Sequence, residues 1–189
     1  MALEFLQLLS QIPDPRRAQG RKWLLGPTLL ATILAVLSGA SSYRKAHAFI
    51  ESRLDILNAT FGFGWRKAPA YSALRTILHG LDAAEVERVF RAHAVLMSGA
   101  DPCADSADVE CAGVVAIDGK TLRHSFDAFS DRKAAHVLSA FATDDALILG
   151  HLQVAEKSNE IPAAQALIEA LDLKGKLITL DAMHCQKNI

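Results

Sequence analysis

Two aspartates at the ends of apolar runs are the residues best suited to chemistry in this sequence. Asp118 follows Gly113-Val-Val-Ala-Ile117, and Asp181 follows Lys176-Leu-Ile-Thr-Leu180. Both runs have the apolar, β-branched pattern of a buried strand. A carboxylate there is costly unless the site uses it, and two neighbouring carboxylates can share a divalent cation. The alternative is structural, since Asp118-Gly119 is also a common turn dipeptide.

The first hundred residues have the periodicity and the stop signals of helices. Asp82 and Glu85 form a predicted capping box, and Ser41 or Ser42 is a predicted N-cap. Residues 72–97 also fit a helix-turn-helix, although ordinary helical packing gives the same pattern. A loop is predicted at Gly62-Phe-Gly64. The predicted helices are Leu3–Leu9, a run from Pro27 to Gly39, Tyr43 to about Leu57, Ser72–His79, and Asp82 to about Met97.

After a small, polar segment at 98–108 the hydrophobic period becomes that of strands. We predict strands at 113–118, 134–143 and 146–154 with a turn at Thr143-Asp-Asp145, a helix at 162–171, and a last strand at 176–181. The order β-β-β-α-β is typical of the start of a ribonuclease-H-like fold. Because a helical crossover makes the last strand parallel to its neighbour, both aspartates should emerge at one edge of the sheet.

The predicted fold class is therefore α+β. It consists of an all-helical domain at 1–98, a linker at 99–112, and an incomplete ribonuclease-H-like α/β domain at 113–189. Charge follows the same division. Residues 1–100 hold 12 Lys and Arg against 7 Asp and Glu, net +5, and residues 101–189 hold 8 against 14, net −6. This asymmetry indicates a polyanion-binding half joined to a carboxylate-bearing half, although a chance imbalance of surface charge gives the same pattern.

Composition argues against a secreted or membrane protein. Hydrophobic residues make up 51% of the chain, enough for a core. Three cysteines without CxxC or zinc spacing favour a reducing, cytoplasmic setting. The N-terminus lacks the basic region and cleavage site of a signal peptide, and Leu29–Leu37 is too short an apolar run to span a bilayer. A buried helix is expected there.

Four strings in order resemble the insertion-sequence DDE transposases of the H-repeat-associated type, and this resemblance covers nearly the whole chain. They are Gln11-Ile-Pro-Asp-Pro-Arg-Arg17, Ala116-Ile-Asp-Gly-Lys120, Glu156-Lys-Ser-Asn-Glu-Ile-Pro162 and Leu180-Asp-Ala-Met-His-Cys-Gln-Lys187. The resemblance implies DNA strand cleavage and transfer by a core that uses Mg²⁺ or Mn²⁺. Asp118 and Asp181 match the first two catalytic, metal-binding carboxylates.

The family's third carboxylate has no counterpart before Ile189, so we expect a truncated transposase with impaired or no activity. The alternative is a non-catalytic remnant that binds DNA or a full-length transposase. Glu160 is a candidate additional carboxylate, although capping of the following helix would also explain it. DNA carrying the element's terminal repeats is the expected partner, together with a second copy or a full-length transposase.

Paired basic residues in the front half are the predicted contacts to the DNA backbone. Trp23, Tyr43 and Trp65 lie beside these pairs and could stack on bases, although core packing is the commoner role for aromatic residues. Near the carboxylates, Lys120, Lys157, Lys187 and His124 could contact substrate. His184 and Cys185 are too few to form a zinc site. The basic pairs are Arg16-Arg17, Arg21-Lys22, Arg44-Lys45 and Arg66-Lys67.

Overall fold

The computed structural model describes residues 2–98, 113–122, 135–154 and 160–181. In this part of the chain there are seven α-helices and one four-stranded mixed sheet. The six helices of the front half are α1 (Ala2–Leu9), α2 (Leu25–Leu37), α3 (Tyr43–Ser52), α4 (Leu54–Phe61), α5 (Tyr71–His79) and α6 (Ala83–Ser98). The back half contains β1 (Val114–Thr121), β2 (His136–Ala142), β3 (Leu147–Val154), α7 (Glu160–Ala170) and β4 (Leu177–Leu180).

The chain divides into two units, Met1–Val89 and Phe90–Ile189. The division therefore falls inside α6. The predicted linker at 99–112 lies outside the described residues, so its boundaries stay predictions.

Two of the predicted helix caps form. The hydroxyl of Ser42 accepts a hydrogen bond from the amide of Lys45 at 3.2 Å, at the start of α3. A carboxylate oxygen of Asp82 accepts the amide of Ala84 at 2.9 Å, ahead of α6. Both bonds satisfy amides that a first helical turn leaves without partners. Glu85 forms an ion pair with Arg88 at 3.0 Å instead of completing a capping box.

Two predictions for the front half were wrong in detail. The single helix expected from Tyr43 to Leu57 is broken at Arg53, whose φ of −120° leaves the helical range, so α3 and α4 are separate. Helix α2 begins at Leu25, two residues before Pro27, which was expected to be its first residue. A proline in the first turn is tolerated because its missing amide hydrogen would have no partner there.

The helical unit is held by two apolar clusters. One joins α2, α3, α4 and α5 around Ile50 and Leu74, which are fully buried. The other joins α1 and α2 to α5 and α6 around Leu29 and Val89. Helix α2 contributes residues to both clusters, as expected of a helix that is apolar around most of its surface and is enclosed by other helices. Thr28 and Thr32, also buried on α2, bond back to carbonyl oxygens one turn earlier.

Among the described residues, the stretch Ala18–Leu37 is long and apolar enough to cross a membrane by length and composition alone. It is not one continuous helix, because a 3₁₀ turn at Ala18–Gly20 is separated from α2 by residues 21–24. The 13 residues of α2 extend about 20 Å, short of the ~30 Å hydrocarbon core of a bilayer. Its packing into both clusters identifies α2 as the predicted buried helix.

The sheet has the strand order β3-β2-β1-β4. The pairs β1–β2 and β2–β3 are antiparallel, whereas β1 and β4 are parallel, as the crossover through α7 predicts. Helix α7 covers one face, where Leu167 packs with Val115, Ile117 and Leu138. The first strand was predicted to end at Asp118, but β1 continues to Thr121, opposite His136 of β2.

Candidate functional site

The sheet brings the two predicted catalytic aspartates to adjacent positions. In the parallel ladder between β1 and β4, Ile117 is paired with Leu180. Asp118 is the next residue of β1, and Asp181 is the residue immediately after β4. Neighbouring strands are about 4.8 Å apart, so the two backbones carry their carboxylates side by side.

Both carboxylates belong to the sheet face that α7 does not cover. Side chains alternate along a strand, and Ile117 and Leu180, which precede the aspartates, pack into the cluster under α7. Asp118 and Asp181 therefore point to the opposite face, where both are exposed. The expectation of carboxylates ending buried strands was wrong at both positions. Asp118 lies inside β1 and is open to solvent, and β4, which Asp181 follows, contains no buried residue. Because neither carboxylate is buried, the free-energy cost of burying a charge does not arise at Asp118 or Asp181.

Polar residues of the neighbouring strands continue this row. Asp118 is paired with Ser139 of β2, and Ser139 is paired with His151 of β3. The imidazole of His151 contacts the Phe90 ring, with centroids 4.9 Å apart, and its backbone oxygen accepts a bond from Arg91. Lys120, predicted as a substrate contact, is exposed two residues beyond Asp118 and so on the same face. Sequence reasoning missed Ser139 and His151, because only the strand register brings them into this row.

The chemistry of this pair of carboxylates fits a hard divalent cation, which prefers oxygen ligands. Within the described ranges, no group of three His, Cys, Asp or Glu side chains is placed to hold a metal ion. Glu160 is the first residue of α7, and its side chain is not among those that the structure describes. Lys157, Lys187, His124, His184 and Cys185 also lie outside the described residues. The described part of the site therefore offers two adjacent carboxylate ligands.

Arg16, predicted as a DNA contact, holds its own loop together. Its guanidinium donates two hydrogen bonds to the carboxylate of Asp14, at 2.8 and 2.7 Å, and two more to the backbone oxygens of Gly20 and Trp23. Only 13% of the Arg16 side chain and 16% of that of Asp14 are exposed. Hydrogen bonding from Arg16 lowers the pKa of Asp14 below the ordinary value of a carboxyl group, against the opposing effect of burial.

The other basic residues of the first segment differ in how far they are already engaged. Arg21 is half exposed, and it donates hydrogen bonds to the backbone oxygens of Arg16 and Asp14. Arg17 is exposed. On α3, Arg44 lies over the ring of Tyr71 at 5.3 Å, and the ammonium group of Lys45 donates to the hydroxyl of Ser41. Arg17, Arg44 and Lys45 all remain at the surface.

A basic, aromatic pocket joins two loops of the helical unit. We name it the tryptophan pocket; it has a volume of about 480 Å³ and is lined by Lys22, Trp23, Gly64, Trp65, Arg66 and Lys67. The predicted basic residues Lys22, Arg66 and Lys67 therefore meet in space, although Trp23 and Lys67 are 44 positions apart in the sequence.

The predicted aromatic residues divide between core and surface. Trp65 is a buried member of a core cluster, and Trp23 and Tyr43 pack against the same cluster while partly exposed. The core-packing alternative thus holds for all three, yet both tryptophans also reach the pocket. Sequence reasoning missed Asn58, whose side chain bonds both the backbone amide and the backbone oxygen of Trp65. Its position in a helix gives no sign of this role.

Comparison with known proteins agrees with the resemblance found in the sequence. Residues 6–94 match the family described as DDE_Tnp_1-associated. The chain is 38% identical to "H repeat-associated putative transposase YhhI" of Escherichia coli (strain K12), over 98% of this chain and 47% of that protein. It is 39% identical to "Putative protein YbfL" of the same strain, again over 98% of this chain and 47% of the relative.

A third relative, "H repeat-associated putative transposase YbfD" of the same strain, is 34% identical over 98% of this chain and 70% of its own length. The chain spans about half the length of YbfL and YhhI. No solved structure matches the chain.

Proposed function

Because this chain belongs to the family of H repeat-associated transposases, we propose that it acts in DNA transposition as a DDE-type transposase. In this proposal Asp118 and Asp181 are the first two carboxylates of a divalent-metal centre for DNA cleavage and strand transfer. The observation that carries the proposal is the pairing of Ile117 with Leu180. It supports a shared site because the residues that follow on two parallel strands lie at one edge and on one face.

The sheet is proposed to be the core of a ribonuclease-H-like domain. Its support is topological: three antiparallel strands are followed by a helical crossover and a fourth strand parallel to the first. This arrangement leaves the face of Asp118 and Asp181 uncovered by α7. Substrate as large as a DNA strand can approach carboxylates only on such an open face.

Asp118 and Asp181 would hold a Mg²⁺ or Mn²⁺ ion, with Glu160 as a candidate further ligand. When bound, such an ion activates an attacking water or 3′-hydroxyl and offsets the charge of the phosphate. Lys120 lies on the same face and would attract the DNA backbone toward the carboxylates. Ser139 is paired with Asp118 across the strands, and in this proposal its hydroxyl would orient the carboxylate by donating a hydrogen bond when the ion is bound.

The helical unit is proposed to hold the DNA, in a cytoplasmic setting. Its exposed cations would contact phosphates, namely Arg17, Lys22, Arg44, Lys45, Arg66 and Lys67. Arg16 and Arg21 instead position the loop that carries Lys22, because their donors are engaged with Asp14 and with backbone oxygens. Lys157 and Lys187 are proposed as further contacts near the carboxylates. The element's terminal repeats are the proposed DNA, with a second copy or a longer transposase as a protein partner.

A second candidate is DNA binding without cleavage. It is favoured by the two-carboxylate set, since a complete centre of this class uses several carboxylates and the described residues contain no three-ligand group. Such a chain would occupy the element's ends or associate with a longer transposase. The same assay separates the two candidates.

The test measures metal binding and strand nicking on the full 189-residue chain. Mn²⁺ binding is followed by the electron paramagnetic resonance signal of the free ion, and nicking is followed on DNA carrying the terminal repeats. Asp118→Asn and Asp181→Asn should each weaken Mn²⁺ binding and lower any nicking by about 10²-fold or more, because a Lewis-acid ion contributes several kcal/mol. Asp145→Asn is the matched control, an exposed carboxylate in the turn between β2 and β3.

Loss of Mn²⁺ binding in both variants, with no change in Asp145→Asn, would support the shared site. Nicking that disappears in the same variants would support the transposase. DNA binding without nicking, unchanged by either substitution, would favour the second candidate. Mn²⁺ binding that is equal in all three variants would refute the metal site.

A further inference from the structure

We propose that the tryptophan pocket binds an unpaired nucleotide of the DNA, with its base against the partly exposed indole of Trp23 and its phosphate among the three cations. The inference rests on the proposed function, because it assumes that the helical unit holds DNA. It adds a site with a defined ligand class, separate from the carboxylates of the sheet. The pocket is formed by two loops, the segment ending at Trp23 and the segment from Gly64 to Lys67.

The loop segment that carries Lys22 and Trp23 forms one wall of the pocket and is held in place by the hydrogen bonds of Arg16. Arg16 donates to the backbone oxygens of Gly20 and Trp23 at 3.0 and 2.8 Å while bound to Asp14. These hydrogen bonds join the two ends of the loop, and the Arg16 guanidinium neutralises the charge of Asp14, the one carboxylate in the loop. Lys22 and Trp23 therefore extend from a backbone that these hydrogen bonds hold in one conformation.

The opposite wall is fixed by different bonds. The side chain of Asn58 holds Trp65 through its backbone amide and oxygen, at 3.0 and 2.8 Å. Gly64 has a φ of +66°, a conformation that other residues adopt at a cost. The indole nitrogen of Trp23 donates to the backbone oxygen of Lys67 at 3.2 Å and links the two walls. A site held in this way loses little entropy when it binds a ligand.

The lining has the chemistry of a nucleotide site. Lys22, Arg66 and Lys67 supply three positive charges, and no acidic residue is among the six that line the pocket. The ammonium group of Lys22 lies 5.1 Å from the centre of the Trp23 ring, a distance at which the two groups form a cation–π contact. Cations beside aromatic rings are the combination with which proteins hold single-stranded nucleic acid.

Size and shape favour an unpaired nucleotide over a duplex. A volume of about 480 Å³ is within the range of small-ligand pockets, ~300–1,000 Å³, and far too small for a double helix. Stacked bases inside a duplex present only their edges, whereas an unpaired base offers its face to an indole. The occupant is therefore expected at a frayed end, an overhang or a displaced base.

Tryptophan fluorescence reports on this pocket directly, because both tryptophans of the chain line it. The full chain is titrated with a short blunt duplex and with the same duplex carrying an unpaired thymidine tail. The tail should quench the emission and strengthen binding about 5- to 150-fold, the equivalent of one stacked base. An acidic peptide of equal charge serves as a competitor that has phosphate-like charge but no base.

Substitutions then assign the effect to the pocket. Trp23→Ala should abolish the gain from the tail, measured by anisotropy of labelled DNA, whereas Trp23→Phe keeps a stacking ring and should retain most of it. Arg66→Gln and Lys67→Gln should each weaken binding of the tailed duplex severalfold. Lys67→Gln leaves the bond to Trp23 intact, since that bond uses the backbone. Arg75→Gln, which removes an exposed charge on α5, is the control and should change little.

Equal affinity for blunt and tailed duplexes, or a gain that survives Trp23→Ala, would overturn the pocket while leaving the proposed function in place. Competition by the acidic peptide as strong as that by the tailed DNA would also overturn it in favour of a protein ligand. A chain that binds neither duplex would instead count against the proposed function itself. Unchanged melting of the Phe and Gln variants separates these results from unfolding.

Discussion

Arg16 and Arg17 are adjacent cations in the sequence, but their side chains have different surroundings. Arg17 is exposed, whereas four donors of Arg16 are engaged with Asp14 and with the backbone oxygens of Gly20 and Trp23. The planar guanidinium makes this possible, because it offers several donors in one fixed fork. One member of a basic pair thus shapes the loop, and the other is available to a ligand.

Asp14→Asn should lower the free energy of unfolding by about 1.5–3 kcal/mol at neutral pH, the range for hydrogen bonds to charged groups. The pKa of Asp14 is lowered in the folded chain from an ordinary value of 3.8. Its stabilising effect is therefore complete above that value and is lost as the pH falls through the lowered pKa.

Denaturant unfolding of wild type and Asp14→Asn at a series of pH values checks this prediction. The gap in stability between the two proteins should be constant near neutral pH and should close below about pH 4. Asp145→Asn, which removes an exposed carboxylate from the turn between β2 and β3, is the control and should change the stability at neutral pH by less than about 0.5 kcal/mol. Parallel curves for Asp14→Asn down to the lowest pH would contradict the role given to Asp14.

At the scale of elements, the sequence predicted the order and the types well and some of the ends poorly. The break at Arg53 was missed because Ala46, Ile50 and Leu57, on either side of it, keep a helical period. The end of β1 was misplaced because Asp118-Gly-Lys-Thr121 has the composition of a turn, whereas pairing with β2 continues as far as Thr121 and His136. Such pairing is a long-range property that local patterns do not contain.

The alignment of Asp118 with Asp181 could be predicted because it follows from a rule about connections. A strand joined to its neighbour through a helix lies parallel to it, and residues at the ends of parallel strands share an edge. The meeting of Lys22 and Trp23 with Trp65, Arg66 and Lys67 could not be predicted in the same way. It depends on packing between two loops distant in sequence, with a side chain–backbone bond from Trp23 to Lys67.

Gly26→Ala tests how closely the residue that follows α1, Ser10, approaches α2. A methyl group at Gly26 would overlap the hydroxyl of Ser10 and lie only 3.0 Å from its Cα. Alanine has the higher helix propensity by about 1 kcal/mol, so an unhindered site would be stabilised. Overpacking against backbone costs about 1–3 kcal/mol, and we expect a net loss of stability in denaturant unfolding. Gly20→Ala, with its nearest contact at 3.7 Å, is the control; stabilisation by Gly26→Ala would show that Ser10 and α2 can separate without cost.

At the scale of the whole molecule, the front half of the chain has a net positive charge and the back half a net negative charge. We therefore predict that DNA binding and metal binding can be separated by mutation. Front-half cations should set DNA affinity, so Arg66→Gln and Lys67→Gln should each reduce the slope of log K against log salt by about 0.9, the value for one phosphate contact. Asp118→Asn and Asp181→Asn remove negative charge from the other half. They should leave both the slope and the affinity unchanged or slightly improved, while Mn²⁺ binding is lost.

Anisotropy titrations with the labelled duplex that carries the unpaired thymidine tail, performed at several salt concentrations without a divalent ion, measure these slopes for the full chain. Arg75→Gln controls for the removal of any exposed charge from the helical unit. Since long-range attraction between exposed charges is screened within about 10 Å at 0.1 M salt, only cations in contact with phosphate should alter the slope. Equal slopes for all variants would place the DNA elsewhere on the molecule, and a large loss of affinity in Asp118→Asn would show that DNA binding and metal binding depend on one another.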